Sequence, residues 1–196
     1  MSDIKRITVD LTPSTKKSGD TTNTDDDVYS EIDADEVMPN TPKKRSITKL
    51  ESWQFSHIDL QPENQFSYIT QLHTNKITTP QPCKIIQQHV SQKINGYKSQ
   101  DIKKGLYVPS RIVDVPYVLD LLYKSSNICY YCKEHIQVLY ENVREPKQWS
   151  LDRIFNDQGH NKENVVVACL KCNVSRKTMY HERYAFTKQL VIVKHN

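Results

Sequence analysis

Residues 129–177 read CYYCKEHIQVLYENVREPKQWSLDRIFNDQGHNKENVVVACLKCNVSRK. Two C-x-x-C pairs bracket the stretch, Cys129/Cys132 and Cys169/Cys172, with 36 residues between them. Thiolate is a soft ligand, and zinc takes four of them in a tetrahedron at about 2.3 Å. Two residues between cysteines let one tight turn aim both sulfurs at one ion, and two such turns fill the shell. A four-thiolate site keeps no open position for water, so the zinc expected here is structural. Two redox dithiols are the competing reading, but they need a thioredoxin-like context that this sequence lacks. Zinc binding is expected to supply much of the folding free energy of so small a core. Tyr130, Tyr131 and His135 read as packing or surface residues rather than ligands. The fifth cysteine, Cys83, reads as a lone thiol in or near the core.

Between the pairs, WSLDRI (149–154) reads as a short strand, FNDQGHNKEN (155–164) as a polar loop and VVVAC (165–169) as a β-branched strand. LKCNVSRKTMYHERYAF then begins a helix, which Arg183 and Lys188 continue. Upstream, Asp114 can cap a helix over 114–126 that carries Pro116 in its first turn. Val115, Val118, Leu119 and Leu122 give that helix one apolar stripe. Ile86, Val90 and Ile94 predict an earlier helix, ended by Gly96. Residues 47–82 hold Trp53, Phe55, Ile58, Leu60, Phe66, Tyr68, Ile69 and Leu72 without a clean period, and read as irregular up to Pro80 and Pro82. The expected class is α+β. A zinc-stapled domain spans 111–196, an irregular or helical basic segment spans 47–110, and a tail spans 1–46.

Charge divides the chain the same way. Of its 196 residues, 1–46 carry ten acidic and seven basic groups, and 47–196 carry thirteen acidic and twenty basic ones. The tail has no apolar period and cannot bury enough surface to offset chain entropy, so disorder is expected there. It ends in a basic cluster, Lys43, Lys44 and Arg45, which reads as a nuclear-import patch or as a solvated linker. A basic folded part suits a nucleic-acid partner, or simply a solvated basic surface. Lys98, Lys103 and Lys104 lie near Tyr97, a combination that can grip a phosphate backbone. No apolar run is long enough to cross a membrane, and the first residues lack the apolar core of a secretion signal. The expected location is intracellular. Four glycines leave no glycine-rich phosphate cradle.

The strand–loop–strand–helix inside a C-x-x-C … C-x-x-C-N frame resembles the HNH, or His-Me finger, nucleases. It is most similar to the zinc-stapled recombination endonuclease VII-like subgroup common in phages and large DNA viruses. The resemblance rests on SLDRI-x-N-x-x-G-H-x-x-x-N-V-V-V-x-C-L-x-C-N and covers about a quarter of the chain. A looser likeness, YK-x-QD before an apolar helix, begins near Tyr97. The resemblance implies a ββα-metal core that hydrolyses phosphodiester bonds of DNA. Asp152 and Asn173 would hold Mg²⁺ or Mn²⁺, oxygen ligands suiting a hard cation. The ion would stabilise charge developing at the phosphate and on the leaving oxygen. Asn164 would brace the loop through backbone hydrogen bonds. Lys171, Arg176 and Lys177, beside the metal at the start of the helix, would contact backbone phosphates.

One position departs from that pattern. The family's general-base histidine normally follows the metal-binding aspartate, and here that residue is Arg153. Arginine stays protonated and cannot take a proton from water, although it can clamp a phosphate. The second histidine position of endonuclease VII-like sites is Phe155. His160 is the nearest substitute base. The departure leaves three readings: a metal-dependent endonuclease, a zinc module that binds nucleic acid without cutting it, and a protein-interaction module.

Overall fold

A computed structural model describes residues 56–190, which belong to one compact unit, Pro42–Leu190. The expected tail at 1–46, with its Lys43–Arg45 cluster, and Trp53 and Phe55 lie outside the described residues, as does the end of the chain from 191.

Five helices and one two-stranded antiparallel sheet make up the described fold. Helix α1 spans Pro62–Thr74 and α2 Pro80–Lys103. Helix α3 spans Val115–Lys124. Strands β1 (Trp149–Arg153) and β2 (Val165–Cys169) follow, then helices α4 (Leu170–Arg176) and α5 (His181–Gln189). The mixed α+β class is as expected.

Residues 47–82 are not irregular throughout. Gln65, Tyr68, Ile69 and Leu72 form a buried stripe on α1 at i, i+3, i+4 and i+7. The polar Gln65 hides that period in the sequence. Its side chain is satisfied inside the fold: Oε1 accepts from Val138 N at 2.7 Å and Leu139 N at 3.0 Å, and Nε2 donates to the Leu60 carbonyl at 2.9 Å. Pro80 and Pro82 do not close a segment but open α2, in the first turn where a missing N–H leaves no bond unmade.

Helix α2 also runs through Gly96 rather than stopping there. A helical glycine costs about 1 kcal/mol, and anchors beyond it outweigh that. Tyr97 Oη accepts from Leu151 N at 3.0 Å, and Asp101 is buried against the loop between the strands. The helix stops at Lys104, and Gly105 then takes the left-handed φ of 69°. Helix α3 matches its prediction, with Asp114 Oδ1 accepting from Tyr117 N at 2.9 Å.

The core is continuous across residue 110, so the segment at 47–110 is not set apart. Helix α1 packs on α2 and α3, and α3 reaches β2. Ile69, Ile86, Val90, Val118 and Leu122 are fully enclosed with Trp149 and Tyr131. Cys83 is in this core as predicted, 1% exposed, and burial raises its thiol pKa.

The sheet pairs Trp149 with Cys169 and Arg153 with Val165. Both of its outer edges are covered, which removes the template an open edge would offer another chain. On β1, Tyr97 takes the Leu151 N–H, while Lys93 reaches the Trp149 carbonyl and Gln148 Oε1. On β2, the Val167 carbonyl accepts from Tyr130 N at 2.9 Å, which brings in the first cysteine turn. Helix α4 packs against both strands.

The helix expected to run on past Arg176 is broken. Lys177 takes a left-handed φ of 51°, and α5 starts four residues later at His181. Arg176 enforces the break by turning inward, with Nη1 donating to the Met179 carbonyl at 2.7 Å.

Candidate metal centre

Both cysteine turns arrive at one point. The Sγ atoms of Cys129, Cys132, Cys169 and Cys172 lie within 4.8 Å of one another, and Cys132 and Cys169 are 4.0 Å apart. A zinc tetrahedron with bonds of about 2.3 Å has sulfur–sulfur edges of about 3.8 Å, so this cluster can hold a structural zinc ion with little adjustment. Local backbone explains the convergence. In the first turn, Lys133 N donates to the Cys129 carbonyl at 3.1 Å and Cys129 N to the Glu134 carbonyl at 2.9 Å, with Lys133 at a φ of 59°. In the second, Cys169 caps α4, and its Sγ accepts from Cys172 N at 3.4 Å. Cys169 N in turn donates to Cys129 Sγ at 3.3 Å.

Four sulfurs this close, three of them buried, compete for protons. Hydrogen bonding from Cys169 and from backbone amides, against the opposing effect of burial, pulls Cys129 down to about 5. Cys169, sharing that bond, is pushed up, and burial raises Cys172 to about 11. A dication resolves the competition by replacing the protons. His135 is exposed and Tyr131 fully buried, in keeping with neither being a ligand. Among the described residues this is the one group of three or more His, Cys, Asp or Glu side chains able to share a metal.

Asp152 lies elsewhere in the same core and is engaged differently. It is 5% exposed, and Arg176, 3% exposed, forms a fork with it. Arg176 Nε donates to Oδ2 at 2.5 Å and Nη2 to Oδ1 at 2.9 Å. Tyr131 Oη donates to Oδ2 at 2.6 Å. Three of about four acceptor directions on the carboxylate are thus filled, and its nearest neighbour is a cation. Arg176 also donates through Nη2 to the Arg153 carbonyl at 2.7 Å and to Asn156 Oδ1 at 2.8 Å. Burial works against the guanidinium's charge, but the Asp152 bond and charge outweigh it and raise its pKa. Burial, together with the same carboxylate, pushes the Tyr131 phenol well above its ordinary range. Asn173 turns back onto the sheet, its Nδ2 donating to Ser150 Oγ at 3.1 Å and the Leu151 carbonyl at 3.2 Å.

The remaining expected residues divide cleanly. Arg176 is not a phosphate contact, because its guanidinium is enclosed and its donors serve the protein. His160 is held by Asp101. It is buried, its Nδ1 lies 2.9 Å from Asp101 Oδ1, its backbone N–H donates to Asp101 Oδ2 at 2.6 Å, and its ring stacks on Tyr97 at 4.3 Å. Arg153 Nη1 donates to the Asn156 and Gln158 carbonyls, both at 3.2 Å, so it ties the loop rather than reaching outward. Asn164 sits where a brace would. Its Oδ1 accepts from Phe155 N at 3.0 Å, and its Nδ2 donates to the carbonyls of Phe155 at 3.1 Å and Gly159 at 2.9 Å. Lys98, Lys103, Lys104, Lys171 and Lys177 are all exposed, Lys98 lying 5.3 Å over the Tyr107 ring.

Sequence reasoning missed Tyr131 as a partner of Asp152 and Asp101 as the holder of His160. Tyr131 lies inside the first C-x-x-C, where only its position relative to β1 gives it meaning. Asp101 is 59 residues from its histidine. No helix among the described residues is long and apolar enough to cross a membrane. No family model, curated protein or solved structure matches the chain.

Proposed function

We propose that this chain is a zinc-stapled nucleic-acid-binding module, built on an HNH-like strand–strand–helix frame, that binds without cutting. One observation carries the reading: both oxygens of Asp152 are taken, by the Arg176 fork and the Tyr131 hydroxyl. A guanidinium at that carboxylate repels a divalent cation, and without the ion no phosphate is polarised there. The residue after it, Arg153, is not a base, and its side chain is turned to the Asn156 and Gln158 carbonyls. The zinc would be held by the four cysteines and would fix the turn at Cys129 to the start of α4. Binding would come from the basic excess of 47–196 and from the exposed Lys98, Lys103, Lys104, Lys171 and Lys177.

The endonuclease reading keeps one observation in its favour. Asn173 lies against the Leu151 carbonyl, so its amide is next to the residue bearing the carboxylate. Loss of the Arg176 fork would leave Asp152 and Asn173 as candidate Mg²⁺ or Mn²⁺ ligands on neighbouring elements.

Incubation of the zinc-loaded protein with supercoiled, linear and branched DNA plus Mg²⁺ or Mn²⁺ separates the two. The expected outcome is intact DNA, with binding that weakens as salt rises. Five phosphate contacts give a slope of log K against log salt of about −4.5. Metal-dependent cleavage that disappears in Asp152→Ala and Asn173→Ala would establish the nuclease instead. No affinity at low salt for DNA or RNA would leave a protein-interaction module.

A further inference from the structure

A cluster of rings reaches from the first cysteine turn, through Tyr130, to the loop after β1 and the start of α5. Its hub is His181, buried at the start of α5. The Tyr180, Phe155 and Tyr130 rings surround it at centroid distances of 4.8, 6.2 and 6.4 Å. Phe155 is 47% exposed and Tyr180 51% exposed, so two large rings on one hub face solvent. Exposed apolar surface gathered in this way marks a contact site more often than ordinary surface.

Both outer rings stand on a fixed backbone. Asn164 holds the N–H and the carbonyl of Phe155. Tyr180 is set by its neighbours, Arg176 holding the Met179 carbonyl and Tyr184 N donating to the Tyr180 carbonyl at 3.0 Å. Two lysines belong to the same neighbourhood. Lys177 is exposed, and its carbonyl accepts from the side chain of Asn156, the residue after Phe155, at 3.4 Å. Lys133 Nζ lies 5.0 Å from the Tyr130 ring. Exposed Asp157 and Glu182 are also near in sequence, so ring faces rather than net charge would dominate recognition.

We propose that Phe155 and Tyr180 form a stacking platform for unpaired bases of a single-stranded nucleic acid, with Lys177 and Lys133 facing its backbone. Base faces are covered in a duplex and open in a single strand, so stacking on side chains selects the latter. Lys133 over the Tyr130 ring and the exposed Lys177, in a part of the chain (47–196) with twenty basic and thirteen acidic groups, complement a phosphate backbone, which favours this occupant over an apolar protein segment. The inference rests on the nucleic-acid reading above and narrows its partner.

The test measures binding of a labelled thymidine oligonucleotide and of a duplex of equal length to the zinc-loaded full chain by fluorescence anisotropy. Tighter single-strand binding is expected. Phe155→Ala and Tyr180→Ala should each weaken it by about tenfold while leaving duplex affinity and zinc content unchanged. Phe155→Leu keeps apolar bulk without a ring, and should behave like Phe155→Ala if the ring stacks. Single-strand affinity that is unchanged in all three variants, with duplex binding intact, would overturn this inference and spare the module reading. So would variants that dissociate a dimer by light scattering yet bind single strands as before, which would mark the rings as a self-association surface. Absence of any nucleic-acid binding would overturn both.

Discussion

The four-cysteine cluster and the Asp152 pair are two buried polar centres joined by one residue. Tyr131 sits between Cys129 and Cys132 in the chain, yet its hydroxyl serves Asp152. The centres are otherwise opposites. The cysteines bring four sulfurs together, and their protons are contested, Cys129 low and Cys172 high. That arrangement can be completed from outside, by a metal. At Asp152 the chain provides its own cation, and three of about four acceptor directions are filled from within. A carboxylate in a nuclease-like position is therefore not enough to identify a metal site. What decides is whether another side chain reaches it first.

The largest effect should come from the centre that depends on an outside partner. Chelation, or Cys172→Ser, is expected to abolish cooperative unfolding by circular dichroism, since structural zinc contributes about 10 kcal/mol or more to domains whose net stability is about 5–15 kcal/mol. A chelated protein that melts like the parent would show that the sulfurs need no ion.

Arg176→Ala comes next. It strands a buried carboxylate and should cost about 3–5 kcal/mol, measured by denaturant titration. Pairing Arg176→Met with Asp152→Leu should recover most of that loss, because a buried ion pair is often no better than apolar packing of similar volume. The single variant also sharpens the contrast. If Mg²⁺ raises the melting temperature of Arg176→Ala but not of the parent, the arginine is what keeps the ion out.

The surface pair Asp114–Lys162 is the mild counterpart, at 2.6 Å and about half exposed. Asp114→Ala should cost about 1 kcal/mol, chiefly through the lost helix cap. The Lys162 hydrogen bond, despite some burial, holds the Asp114 carboxyl below its ordinary value, with the Tyr117 amide assisting. Its folded-state value is thus lower than its unfolded one. The stabilisation is full above the ordinary carboxylate range of about 4 and fades as pH falls through the folded value. Parent and variant should therefore converge in acid, which urea melts at several pH values will check.

Legibility in the sequence followed the range of the interactions. The cysteine turns, the β2 run and the Asp114 cap are set by residues within a few positions of one another, and all were readable. Gly96 misled because a helix stop is a local signal, and Leu151 and His160, the partners of Tyr97 and Asp101, override it from more than fifty residues away. The stripe on α1 was masked by one inward glutamine. Arg176 looked like a phosphate contact because it neighbours Lys177 in a basic run, but helical geometry turns one inward and leaves the other outside. No pattern of residue types distinguishes those two directions before the partner strand is in place.

Gln65 has a consequence for how far the cysteine-bracketed stretch can travel. Its single oxygen serves two amides in the span between the cysteine pairs, seventy-three and seventy-four residues away. Grafted alone into another scaffold, residues 129–177 would keep every sulfur but lose the acceptor for two enclosed N–H groups, along with the helix that shelters them. The motif is portable as a metal chelator and not as a folded part.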